Sequence, residues 1–186
     1  MIVLDMTMSL DGYVVGPDDS VDQPMGAGGF RLFNWLDDRN DDGPSGDVYR
    51  EALATGALIS GRRTFEHAGR WGGDHHDGVP IFVLTHDYDQ NDVPPGSARF
   101  VTDVVSCAAQ ARAAAGDRNV MVHGAGAAHS LLAAGELDEL ELHVVPVLFG
   151  QGRPLFANLP TGLVELEQTR QLTARDVTHL HYRVVK

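Results

Sequence analysis

The stretch Ala57-Leu-Ile-Ser-Gly-Arg-Arg-Thr-Phe-Glu66 constrains the fold of this chain more than any other. A short apolar run, Ala57 to Ile59, breaks at Gly61 into two arginines and a threonine, and a helix-compatible segment follows. A strand that feeds a helix N-terminus presents unpaired backbone N–H groups and the positive end of the helix dipole, which suit a bound phosphate. Arg62 and Arg63 add positive charge and bidentate hydrogen bonding. The competing reading is a surface turn whose arginines pair with some of the 26 acidic residues. With a net charge of -12, two adjacent arginines at such a turn still ask for a reason.

Along the chain, apolar runs of strand length alternate with helical patterns. Ile2 to Ser9 reads as a strand, and Leu10 to Gly16 continues it past a tight turn at Asp11-Gly12. Residues 17–46 form an insertion rich in Gly, Pro and Asp, within which Phe30, Leu32, Phe33, Trp35 and Leu36 fit a short helix. That aromatic group suits core packing better than a lid over a flat ligand. Helices are predicted over 47–55, 62–69, 103–115 and 127–134, with Asp103 as an N-cap. Strands are predicted over 57–60, 80–85, 98–101, 119–123 and 137–145, and an antiparallel pair over 163–172 and 176–185. The pattern is one α/β domain over residues 1–186.

A second corner repeats the logic of the first. In Val120-Met-Val-His-Gly-Ala-Gly-Ala-Ala-His129 a β-branched strand runs into small residues and then a helix. Gly124 and Gly126 would let the backbone approach a pyrophosphate closely. The Gly-x-Gly-x-x-Gly fingerprint is incomplete, because His129 holds its last position, so a Rossmann assignment does not follow. Glycines kept for packing are the plain alternative. Two phosphate-competent corners in one small domain point to a dinucleotide, and the paired arginines to NADP rather than NAD.

Other chemistries find less support. An acidic chain argues against non-specific nucleic-acid binding, and no apolar run approaches the roughly 18–20 residues that span a bilayer. The N-terminus lacks a basic region before its apolar run, so it does not read as a signal peptide. The single cysteine, Cys107, lies among alanines and reads as buried; together these features suggest a cytoplasmic protein. His75 and His76 should point opposite ways in an extended loop, and His179 and His181 share a strand face without a third ligand, so no metal is expected.

These motifs resemble the dihydrofolate reductase-like superfamily, and within it the riboflavin-biosynthesis reductase domain found at the C-terminal end of bifunctional deaminase-reductases. The resemblance is carried by Met8 to Gly16, Gly61-Arg-Arg-Thr64, Val83-Leu-Thr85, Val122-His-Gly-Ala-Gly126, Leu131 to His143 and Val145 to Phe156. The 17–46 insertion is unmatched.

The resemblance implies a mostly parallel sheet flanked by helices and ending in an antiparallel hairpin, and an NADPH-dependent reductase of a small pyrimidine- or pteridine-like heterocycle. A non-catalytic nucleotide-binding protein of the same fold is the alternative. By resemblance, Gly61, Arg62, Arg63 and Thr64 hold cofactor phosphates, and Thr85 with His86 lie near the adenosine end. Gly124, Ala125, Gly126 and Ala127 line the pyrophosphate. Thr7, Met8 and Val15 border the nicotinamide, while Ser9 and Asp11 face the substrate, with Asp11 orienting or protonating it. Asp11-Gly12 is equally a favoured turn pair. His86 stands where many relatives carry an arginine, and Ala125 where they often carry a glycine. Relatives commonly form homodimers.

Overall fold

The strands form largely where the apolar runs predict them. In the computed structural model, which describes residues 1–157, 159 and 162–186, they are β1 (Ile2–Ser9), β2 (Tyr13–Val15), β3 (Ala57–Gly61), β4 (Ile81–Leu84), β5 (Ala98–Val101), β6 (Val120–His123), β7 (Glu139–Val145), β8 (Arg153–Pro154), β9 (Leu166–Ala174) and β10 (Val177–Val184). The helices are α1 (Pro44–Leu53), α2 (Arg62–His67), α3 (Val104–Ala115) and α4 (Ala125–Ala133), with short 3-10 helices over Gly29–Asp38 and Gly69–Gly73. The fold is α/β, with a mostly parallel sheet and antiparallel C-terminal strands. Among the described residues, no helix is long and apolar enough to cross a membrane.

Contacts divide the chain into two compact units, Met1–Leu4 with Leu53–Asp138, and Asp5–Ala52 with Glu139–Lys186. In the first, the strand order is β5-β4-β3-β6-β1, and every pairing is parallel. Ala57 to Ser60 are all buried, as expected of a parallel strand covered on both faces. Helix α3 starts as predicted, with Asp103 Oδ1 accepting from Ser106 N at 2.7 Å. In the second unit the order is β1-β7-β10-β9, with β10 antiparallel to both β7 and β9, and β2 pairs with β8 separately.

Several boundaries moved for physical reasons. Helix α1 starts at Pro44, not Asp47, because proline is pre-shaped for a first helical turn. Helix α2 stops at His67, and Arg70, Trp71 and Gly72 follow in left-handed conformation (φ 55°, 47° and 59°). Helix α4 starts at Ala125, two residues early, because Gly124 (φ 101°) turns the chain out of β6 at once. The 29–38 segment winds as a 3-10 helix, and its buried Gly29, Leu32 and Trp35 recur every third residue, the period of that helix. Leu32 and Trp35 pack with Val145 and Val177, which bears out core packing for Trp35; Phe30 stays exposed.

Candidate active site

Both phosphate-competent corners lie in the first unit, at the carboxyl ends of adjacent parallel strands. Ser60 on β3 pairs with His123 on β6, so α2 and α4 begin side by side. A Cβ on Gly61 would come within 3.6 Å of Ala127 N, and one on Gly124 would collide with Thr64 Oγ1. The structure therefore brings together Gly61, Thr64, Gly124 and Ala127. Gly124 is required by its positive φ and by Thr64, a packing reason. Gly126 is different: a side chain there would meet nothing within 4 Å, and the residue is exposed. The first amides of a helix lack intrahelical partners, and in the turn Ala125-Gly126-Ala127 it is Gly126 that is exposed, while Ala127 is buried. An open backbone, a threonine hydroxyl beside it and a nine-residue helix behind it fit a phosphorylated cofactor.

Arg62 is not a free cation. Its Nε lies 2.7 Å from Glu66 Oε1 and its terminal nitrogen 2.5 Å from Asp92 Oδ2, with the guanidinium 4.3 Å from the Phe100 ring centroid. Arg70 closes the network, 2.8 Å from Glu66 and 2.7 Å from Asp92. Two arginines and two carboxylates cancel. The hydrogen bonds from Arg70, then Arg62, hold the Asp92 carboxyl below its ordinary value, and Asp92 and Glu66 in turn raise Arg70. Glu66, four residues after Arg62 on α2, was legible as a helix pair, whereas Arg70 lies beyond the end of that helix. Asp92, thirty residues from Arg62, carried no local signal. Arg63 is exposed. Thr85 donates its hydroxyl to Asp87 O at 2.8 Å, and His86 is exposed.

In the second unit, Ser9 and Asp11 form a clamp. Ser9 is fully buried, donates to Asp11 Oδ1 at 2.5 Å and accepts from Tyr13 N at 2.9 Å. Asp11 also accepts from Phe149 N and Gly150 N, the latter at 2.7 Å. The Ser9 hydroxyl leads these donors in lowering the Asp11 carboxyl, against a smaller opposing effect of desolvation. A carboxyl so held is an acceptor and a poor proton donor at neutral pH. Thr7 is buried, and its Oγ1 accepts from Trp35 Nε1 at 3.2 Å; Met8 and Val15 are half-buried.

The other reactive side chains are accounted for by contacts. Burial, then Asp103, pushes the Cys107 thiol up to about 12. His75 and His76 do not point apart, since the loop folds and brings their Nδ1 atoms to 2.7 Å. Among the described residues no group of three or more His, Cys, Asp or Glu side chains is arranged to hold a metal.

A parallel sheet with helices starting at the carboxyl ends of its strands defines the α/β class of this domain. Within that class, the chain belongs to the RibD C-terminal domain family, which matches residues 1–180. No curated protein matches it. Among solved structures it is similar to a Shewanella sp. PV-4 protein named for riboflavin biosynthesis, at 22% identity and TM-score 0.73, covering 100% of this chain and 99% of the other. It is also similar to a bifunctional diaminohydroxyphosphoribosylaminopyrimidine deaminase/5-amino-6-(5-phosphoribosylamino)uracil reductase from Thermotoga maritima (12%, TM-score 0.66), covering 100% of this chain and 56% of that one. A dihydrofolate reductase from Enterococcus faecalis complexed with NADP(H) matches at 15% and TM-score 0.62, over 100% of this chain and 97% of that one. At these identities the structural matches establish the dihydrofolate reductase-like fold.

Proposed function

We propose that this protein is an NADPH-dependent reductase of a small pyrimidine- or pteridine-like heterocycle, with 5-amino-6-(5-phosphoribosylamino)uracil as the leading substrate. The observation that carries this reading is the juxtaposition of Gly61 and Thr64 with Gly124 and Ala127, the two corners meeting side by side. Membership of the RibD C-terminal family and the likeness to an NADP(H)-bound reductase support it.

Ala125, Gly126 and Ala127 would take the pyrophosphate through backbone amides, with Gly61, Arg62, Arg63 and Thr64 on the remaining phosphates. Thr85 and His86 would lie toward the adenosine. Thr7, Met8 and Val15 would border the nicotinamide. When bound, NADPH supplies a hydride, and the protein's task is alignment and exclusion of water. Ser9 and Asp11 would orient the substrate, Asp11 as a fixed acceptor. Arg62, already paired, would meet a 2′-phosphate by sharing its guanidinium with Asp92.

We also expect a cytoplasmic homodimer, a state that light scattering reads directly. The decisive assay follows loss of the reduced-nicotinamide absorbance across a heterocycle panel that includes the ribosylaminopyrimidine. Turnover supports the reductase. Tight NADPH binding with no turnover would favour a non-catalytic nucleotide-binding protein, and no binding by calorimetry would defeat both readings.

A further inference from the structure

Among its described residues, the second unit buries four ionisable side chains, His143, His179, Glu139 and Glu141. Strand β10 sets His179 opposite His143 and His181 opposite Glu141. His143 and His179 are each 1% exposed, with their Nδ1 atoms 2.8 Å apart. The outer nitrogens are engaged as well. His143 Nε2 lies 3.4 Å from Asp5 Oδ1, and His179 Nε2 lies 3.4 Å from Ser45 Oγ. Asp5, His143, His179 and Ser45 thus form one continuous chain. Trp35 covers it, with ring centroids 4.6 Å from His143 and 5.1 Å from His179.

With Asp5 ionised and both rings neutral, one proton arrangement makes every contact a hydrogen bond. Asp5 must accept, so His143 Nε2–H donates to it and His143 Nδ1 accepts. His179 Nδ1–H then donates to His143, and Ser45 donates to His179 Nε2. Every donor points toward Asp5. Burial, followed by the neighbouring His143 and Arg170, pushes His179 down to about 4, which keeps that ring neutral. One further proton fits on His143, whose imidazolium then donates to Asp5 on one side and to His179 on the other. Nearby, Arg170 lies 3.1 Å from Glu141 and 2.7 Å from Glu51, and His181 lies 3.5 Å from Glu139. Burial raises Glu141, whose Oε1 has no hydrogen-bond partner among the described residues.

Asp5 is where this chain reaches the surface, with 18% of its side chain exposed. It shares a face of β1 with Thr7 and Ser9, by the two-residue period of a strand. Asp11, held as an acceptor, leaves the reaction without a proton source. We propose that Asp5 is the proton donor of the reduction and that the buried His143–His179 pair stores the proton that reloads it. This rests on the reductase reading above. As the hydride's electron pair reaches the carbon of a C=N or C=O group, the heteroatom takes the proton of the Asp5 carboxyl, whose O–H bond breaks. The carboxylate draws its replacement from the Nε2–H of the His143 imidazolium, which leaves both rings neutral, with His143 Nδ1–H donating to His179 Nδ1 and His179 Nε2–H to Ser45 Oγ, and solvent returns a proton to the pair through Asp5.

Two readouts test this on the full chain. In nitrogen-15 histidine spectra, His143 and His179 should share a hydrogen-bonded Nδ1 proton and gain one further proton as a pair, with that gain moving to lower pH in Asp5→Asn. In turnover with NADPH, Asp5→Asn should lower kcat by about 10²- to 10⁴-fold, the usual contribution of a general acid, with NADPH affinity unchanged. Asp5→Glu should restore part of the rate, and His143→Gln should shift the kcat pH profile. Wild-type kcat and pH profile in Asp5→Asn, or two rings that titrate independently, would overturn the proposal while leaving the reductase reading intact. A wild type that binds no NADPH would instead defeat the reductase reading itself, and the donor role with it.

Discussion

Gly124 and Gly126 stand two residues apart, and alanine should move them in opposite directions. At Gly126 the new methyl meets nothing within 4 Å, and the residue is already helical, so Gly126→Ala should stabilise the fold by up to about 1 kcal/mol. For a chain of this size that raises Tm by about 2–4 °C. At Gly124, φ is 101°, and a Cβ would collide with Thr64 Oγ1 and stand 3.2 Å from Thr64 Cβ. Positive φ at a non-glycine residue costs on the order of 1–3 kcal/mol, and displacing Thr64 adds to it, so Gly124→Ala should lose at least about 2 kcal/mol. Urea unfolding followed by circular dichroism measures both. The functional contrast is sharper. The methyl at Gly126 fills open space on the first turn of α4, where the proposed site would hold the pyrophosphate, and losing one charge-assisted hydrogen bond there, worth about 1.5–3 kcal/mol, weakens NADPH at least about tenfold. The expected variant is therefore more stable and a poorer binder by calorimetry. Full NADPH affinity in Gly126→Ala would remove this turn from the cofactor site, and wild-type stability in Gly124→Ala would refute the packing argument.

Three further outcomes follow from named contacts. Asp92→Asn removes the closer of Arg62's two carboxylate partners and should tighten NADPH relative to NADH, whereas Arg62→Ala should weaken NADPH more than NADH; equal effects on both cofactors in calorimetry would exclude a 2′-phosphate role. His179 has a folded value near 4 against an ordinary 6.5, so the unfolded chain binds that proton more readily. The stability present above pH 6.5 is therefore lost as pH falls from 6.5 toward about 4, and His179→Gln should flatten that slope in denaturant titrations across the window. Cys107, buried and pushed up to about 12, should resist a disulfide reagent at neutral pH until the protein unfolds; fast labelling of the native chain would contradict its burial.

The legible part of the fold was local. The apolar run 57–60, the strand over Ile2 to Ser9 and the Asp103 cap each draw on residues within one or two turns, where local pattern and capping act directly. The glycine-punctuated corners were readable for the same reason. The order of the strands, which sets β3 beside β6, was not, because nothing at residues 57–61 names residues 120–123 as neighbours.

At the candidate site the division is the same. Composition and motif alone pointed to an α/β chain with two phosphate-competent corners, since a strand, a small residue and a helix start are properties of a few consecutive residues. Tertiary structure decided which charges remain available. It tied Arg62 to Asp92 and Asp11 to the amides of Phe149 and Gly150, and it aligned Asp5, His143, His179 and Ser45 into one chain. Electrostatics and hydrogen bonding act through space at a few ångströms, and the residues that meet at that range here are separated by as many as 139 positions along the chain.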